Sequence, residues 1–277
     1  MAIFGNLNEP SDLVNGGRED AEDILNESLA FFGGEPITND DAVRYGPLVL
    51  TVAPKEGKAL SLLADHLFSP ALFLAERIEL DLIPAKGRRV IELGAGSALP
   101  SLLLATCPDP PSLVVVTDYP DDGILGNLQK NVENNRVHYQ TTCCVKCVGF
   151  EWGTATDPLL KLSNSENESC PGYDVVILSD LLHFDASHDV LLASVGRLLA
   201  KTPISRMHIS AGYYTRAEVC DSFLLKCKEA GFLLDEILPD VGDDRWLGKM
   251  TVGGLDTDAL AIRKAACRYW IGRWAPC

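Results

Sequence analysis

The sequence predicts an α/β protein built on a seven-strand sheet, mostly parallel with an antiparallel last strand. Helices are expected on both faces, with a helical extension ahead of the sheet. Three observations carry this expectation. From Arg89 onward, short runs of Val, Ile and Leu recur almost without polar interruption, as in strands buried on both faces. Stretches of helix length separate them, the alternation that a parallel sheet requires. The first run also ends in a glycine turn, Gly94-Ala95-Gly96, that leads straight into another apolar stretch.

Residues 1–58 are read as a flexible or partly ordered arm, polar and acidic in its first part, in which 20–32 shows the spacing of one short amphipathic helix. Residues 59–277 form the domain proper. Within it, 59–85 supply N-terminal helices: Leu63, Leu67, Leu74, Ile78 and Leu82 recur on one side of 60–82, and Pro70 must interrupt or kink the run. The sheet core occupies 86–277. Its strands are expected at 89–93, 113–118, 142–148, 174–179 and 206–211, and its helices at 97–107, 123–135, 186–199 and 217–230. Two further strand candidates, 232–238 and 258–268, have no strongly periodic segment between them, which makes the last pair antiparallel. Residues 163–172 read as a polar loop.

The chain has 277 residues and carries 39 acidic against 24 basic side chains, a formal charge of −15. With 47% hydrophobic and 23% charged residues it has the composition of a folded globular protein. Its acidity argues against a phosphate-tracking nucleic-acid binder and favours basic partners. No apolar run approaches the ~20 residues of a membrane helix. The first ten residues lack the pattern of a secretion signal, so a cytoplasmic location is expected, with free thiols. Cys144 and Cys147 form a lone CxxC that reads as strand, and no metal site is expected. A monomer is expected.

The run Val90-Ile91-Glu92-Leu93-Gly94-Ala95-Gly96-Ser97 carries the chemistry. Glycines let the backbone turn tightly and approach a ligand closely, and the following helix aims free N–H groups at the same place. A dinucleotide fingerprint would put a third glycine at 99, where Leu99 and Pro100 stand. Glu92 would accept donors from an amino-acid moiety and repel a pyrophosphate. Asp118, at the end of the next strand and 22 residues after Gly96, is placed to accept ribose hydroxyls. Together they outline a site for adenosine bearing an amino-acid tail, the shape of S-adenosyl-L-methionine.

Four segments, 90–105, 114–135, Trp152-Gly153 and 175–192, together resemble the class I, Rossmann-like, seven-strand methyltransferases of family 16. Within it they are similar to the fungal nicotinamide N-methyltransferase-like branch, also described as elongation factor 1-alpha N-terminal and lysine methyltransferases. The resemblance implies that Glu92, Gly94, Ala95 and Gly96 line the methionine end, Asp118 and Tyr119 the ribose, and Trp152 the adenine face. It places Ser179 and Asp180 beside the transferred methyl. It also implies transfer by direct displacement to an amine of a basic protein, a lysine or an N-terminus, with elongation factor 1-alpha as a target.

The residues leave alternatives open. Related lysine methyltransferases carry an aromatic residue three positions after the acidic one, where this chain has His183, followed by Phe184. Phe68, with His66 before it, stands near the place of a tryptophan in relatives. Asp180 can take an amine proton, and His183 supplies a polar edge. Tyr213 or Tyr214 can wall the acceptor pocket, with Tyr213 taken as the catalytic candidate. A small-molecule acceptor (a pyridine, another amine or a fungal metabolite) and a cofactor-binding protein without methyl transfer remain as competing readings.

Overall fold

The computed structural model describes residues 42–163, 171–238 and 245–276. The expected helix at 20–32 and most of the polar loop at 163–172 lie outside the described residues. A hairpin comes first, β1 (Val43–Tyr45) and β2 (Leu48–Leu50), closed by Gly46-Pro47. Two helices follow, α1 (Gly57–Ser61) and α2 (Ser69–Glu79). Then come β3 (Arg89–Leu93), α3 (Leu99–Thr106), β4 (Leu113–Asp118), α4 (Asp122–Asn134) and β5 (Cys144–Gly149). The chain continues through α5 (Asp157–Ser163), β6 (Val175–Ser179), α6 (His188–Leu198), β7 (Arg206–Gly212) and α7 (Ala217–Glu229). It ends with β8 (Phe232–Glu236), α8 (Thr257–Ala265) and β9 (Cys267–Trp274).

The sheet has seven strands in the order β5-β4-β3-β6-β7-β9-β8. Pairing is parallel from β5 to β7, and β9 runs antiparallel to both β7 and β8. The chain therefore leaves β3 toward β4 and β5, then returns to add β6 on the other side. Ligands of open α/β sheets sit at such a switch point, outside the carboxyl ends of the strands. Here that point is the end of β3, where the glycine turn begins.

Strand periodicity explains the layering. Val90, Val114, Val116, Val175 and Ile177 face one apolar cluster with Leu72 and Leu74 of α2 and Leu99, Leu102 and Leu103 of α3. Ile91, Leu93, Val115, Val176 and Leu178 face the other, with Leu191, Leu192 and Val195 of α6 and Phe223 of α7. Alternate residues thus point to opposite faces, and both faces are covered. Each such side chain is worth about 1.5–3 kcal/mol relative to exposure.

Two sequence expectations need correction. Residues 258–268 are not a strand: 257–265 form α8, begun by Asp256, whose side chain accepts from Ala259 N at 2.8 Å, and the strand starts only at Cys267. Pro70, by contrast, interrupts the 60–82 run as expected: two helices replace one, and Pro70 lies in the first turn of the second, where its missing N–H costs nothing. Finally, the folded part begins ahead of residue 59, because Tyr45, Leu48 and Leu50 are buried in the first cluster. Cys144 and Cys147 are strand residues of β5, as read from the sequence.

The hairpin is tied to α4 by side chains in place of a neighbouring strand. Asn135 accepts from Val49 N and donates to Val49 O, both at 2.8 Å. One turn earlier, Asn131 accepts from Thr51 N at 2.9 Å and donates to Thr51 O at 2.8 Å. Asn131 also donates to Ser97 O at 3.3 Å, linking this clamp to the glycine turn.

Among the described residues, no helix is long and apolar enough to cross a membrane.

Candidate active site

A cleft of about 250 Å³ opens at the carboxyl ends of β3, β4, β5 and β6. Its floor is the turn after β3. Gly94 and Gly96 both have positive φ, +57° and +54°. A Cβ at Gly94 would come within 2.8 Å of Leu181 Cδ2 and 3.1 Å of Trp152 Cζ2, so glycine is what lets Trp152 close over the turn. At Gly96 a Cβ would meet no protein atom within 4 Å, yet the residue lines the cleft, so its bareness keeps ligand space open. Leu99, where a dinucleotide site would have its third glycine, is buried at the start of α3.

Asp118 braces this turn. Its Oδ2 accepts from Gly96 N at 2.7 Å and its Oδ1 from Tyr119 N at 2.7 Å. Burial pushes its carboxyl above the ordinary range, against those two hydrogen bonds. Tyr119, Phe150, Glu151 and Trp152 continue the wall, and Phe184 meets Trp152 edge-on with ring centroids 5.9 Å apart.

Ser179, Asp180 and His183 line the opposite side. Asp180 has φ +63°, a left-handed conformation that costs a non-glycine residue about 1–2 kcal/mol. It is held there because its own N–H donates to Ser210 O at 2.8 Å, while Gly212 N donates to its Oδ1 at 3.3 Å. Tyr214 Oη donates to its Oδ2. Burial raises the carboxyl of Asp180. The His183 ring lies 4.0 Å from that of Phe184, centroid to centroid and tilted by 44°, and burial lowers its imidazole against the pull of Asp180.

The structure thus gathers Gly94, Ala95, Gly96, Asp118, Tyr119, Trp152, Ser179, Asp180 and His183 around one cleft. Two residues expected there lie elsewhere. Glu92 does not line it: the strand's alternation turns its side chain beneath the glycine turn, where Oε2 accepts from Ser101 N of α3 at 3.3 Å and Oε1 has no partner. Tyr213 is 59% exposed and outside the cleft, its N–H given to Ala266 O. Its neighbour Tyr214 turns inward to Asp180 instead. The segment between α1 and α2 brings His66 and Phe68, noted in the sequence, to the cleft, together with Leu62, Leu63 and Leu67, which the sequence did not single out for the site. The signal available was the adjacent pair Asp65-His66 ahead of an apolar run.

These residues fit S-adenosylmethionine. Open space is kept above Gly96, Trp152 presents an aromatic face, and the carboxylates of Asp118, Glu151 and Asp180 line the cleft. Among the described residues, no lysine or arginine lines it, which suits a cation and disfavours a pyrophosphate.

The family model described as lysine methyltransferase matches residues 66–230. The Protein N-terminal and lysine N-methyltransferase EFM7 of Gibberella zeae is 33% identical over 184 residues, which cover 63% of this chain and 68% of that protein. Its namesake in Neurospora crassa is 31% identical over 180 residues, 63% of this chain and 63% of that protein. Among solved structures, the putative methyltransferase of Haloferax volcanii in complex with the Trm112 activator covers 75% of this chain and 91% of that one. It aligns with a TM-score of 0.46 at 13% identity. The chain spans just over two thirds of the first relative and less than two thirds of the second.

Proposed function

The chain belongs to the lysine methyltransferase family, and from that premise we propose that it transfers a methyl group from S-adenosylmethionine to an amine of a basic protein. The acceptor is a lysine, an N-terminus or both, and the resemblance of its motifs names elongation factor 1-alpha as a candidate. The observation that carries this reading is the cleft at the end of β3, lined by three carboxylates and an indole with no lysine or arginine among the described residues.

Gly94, Ala95 and Gly96 would hold the methionine end, Asp118 and Tyr119 the ribose, and Trp152 the adenine. When bound, the cofactor supplies a methyl already activated on a sulfonium. What remains for the protein is to hold an uncharged amine in line, a matter of proximity and orientation. Ser179 and Asp180 border the place where the amine must sit. Tyr214 and the Gly212 N–H lock Asp180, so that its carboxylate faces an incoming ammonium from a fixed position.

Asp118→Asn tests the reading. It removes the negative charge at the ribose position, and a charged hydrogen bond is worth about 1.5–3 kcal/mol. Calorimetry is expected to show cofactor affinity roughly 10- to 100-fold weaker, with tritium transfer from labelled cofactor into cell protein reduced in step. Unchanged affinity overturns the cofactor site. Transfer into free small amines with none into protein moves the acceptor to the small-molecule class.

A further inference from the structure

We infer that His66 is the general base that takes the proton from the acceptor amine, with Asp65 as its positioning residue, and that this base serves an N-terminal α-amine. The inference rests on the methyl-transfer reading above and concerns the acceptor half of the same cleft.

Geometry leads to His66. Its Nδ1 lies 2.9 Å from Asp65 Oδ1, and the two side chains are 11% and 0% exposed. A carboxylate accepts, so in the neutral ring the Nδ1 must carry the hydrogen and the Nε2 the lone pair. That Nε2 is buried and has no hydrogen-bond partner, while the residue lines the cleft. A buried acceptor left unmatched costs about 1–3 kcal/mol, a cost that a ligand donating a proton there removes. The Phe68 ring lies 5.6 Å from that of His66, centroid to centroid, and 6.2 Å from that of Tyr214, which donates to Asp180. One continuous wall therefore joins the dyad to the acidic residue at the end of β6.

The other candidates are worse placed. Asp180 has both oxygens engaged, by Tyr214 Oη and Gly212 N. His183 lines the cleft without a carboxylate hydrogen-bonded to its ring to fix its tautomer. The ionisable groups that line this space with His66 are Asp118 and Tyr119 after β4, Glu151 after β5, and Asp180 and His183 after β6; Asp65 touches the His66 ring and Tyr214 lies against Phe68.

In the proposed step one ammonium N–H bond breaks and an Nε2–H bond forms. The positive charge passes from the amine to the imidazole, and the freed lone pair stays on the amine nitrogen. The proton then returns to solvent. An ordinary α-amine titrates near ~7.7–8.0 and a lysine near ~10.4, so transfer to the same imidazole is roughly 300-fold more favourable for the N-terminus.

Two ten-residue basic peptides test this, one with a free α-amine and arginine in place of every lysine, the other N-acetylated with a single lysine. Wild type, His66→Asn and Asp65→Asn are compared. His66→Asn is expected to lose 10²- to 10⁴-fold in kcat toward the α-amine peptide at pH 7, with KM little changed. The acid limb of its pH profile should become that of the amine itself. Asp65→Asn should show the same shift to a smaller extent. Calorimetry of α-amine peptide binding, in buffers of different ionisation enthalpy, gives a readout independent of turnover. Wild type and His66→Asn should differ in the number of protons released per peptide bound. Equal proton counts and identical pH profiles in the two proteins overturn the role of His66. A wild type that favours the lysine peptide overturns the α-amine assignment. Transfer by wild type to neither peptide overturns the function proposed above, and this inference with it.

Discussion

Glu92 sits fully buried under the glycine turn, and burial pushes its carboxyl up to about 8 from an ordinary 4.5. A carboxyl whose folded value is raised contributes stability that is fully present below its unfolded value and is lost as pH climbs through the folded one. Wild type should therefore lose stability between pH 5 and pH 9 relative to Glu92→Gln, which is neutral throughout. The differential, several kcal/mol at most, is measured by denaturant unfolding of both proteins across that range. The pH dependence that Asp180 adds cancels in the comparison, whereas Asp118, whose charge helps to raise Glu92, is part of the difference measured; a constant difference would contradict the burial-driven shift. The same residue shows what sequence could not decide. An acidic residue two positions before Gly94 is legible as part of the turn, but which side of the turn it faces depends on strand phase. Tyr213 and Tyr214 pose the identical problem: adjacent phenols after β7, one exposed and one hydrogen-bonded to Asp180, separated only by a backbone turn that neither residue type announces.

At the scale of elements, the clamp between α4 and the hairpin is where folding and site meet. Asn131 satisfies both backbone groups of Thr51 and also the carbonyl of Ser97 in the glycine turn. Asn131→Leu leaves a buried N–H without its partner and should cost about 2–3 kcal/mol. In a chain of this size that corresponds to a fall of roughly 5–10 °C in Tm. Cofactor affinity should drop severalfold as well, because the turn loses its tether. Asn134→Leu, on the exposed side of the same helix, is the control and should leave Tm within about 1 °C. The parallel strands were legible because burial on both faces writes continuous Val/Ile/Leu runs. The hairpin was not, since three-residue strands are too short to display alternation. Helix α8 was misread for a related reason: its two large apolar residues, Leu260 and Ile262, stand two apart as in a strand, and what starts it is the cap at Asp256.

On the scale of the whole molecule, the formal charge of −15 acquires a location only in part. Asp118, Glu151 and Asp180 line the cleft, whereas Asp121 caps α4 by accepting from Gly123 N and Ile124 N, and Glu92 is shut beneath the turn. Charge total was legible in the sequence, but its partition between capping, burial and ligand-facing roles required the fold. On the proposed function, the cleft carboxylates would act on a basic tail at short range and the remaining excess through solvent, where its reach is one Debye length, about 10 Å at 0.1 M salt. These two contributions separate experimentally. Raising salt from 50 to 300 mM should increase KM for a basic peptide acceptor severalfold through the screened, long-range part, with kcat little changed. Cofactor affinity should change far less, because Asp118 is buried and lies where screening is weak. Steady-state kinetics and calorimetry over that salt range measure both. If cofactor affinity and peptide KM moved in parallel, the acidity would be acting on the two cations alike, and selective attraction of a basic tail would have to be abandoned.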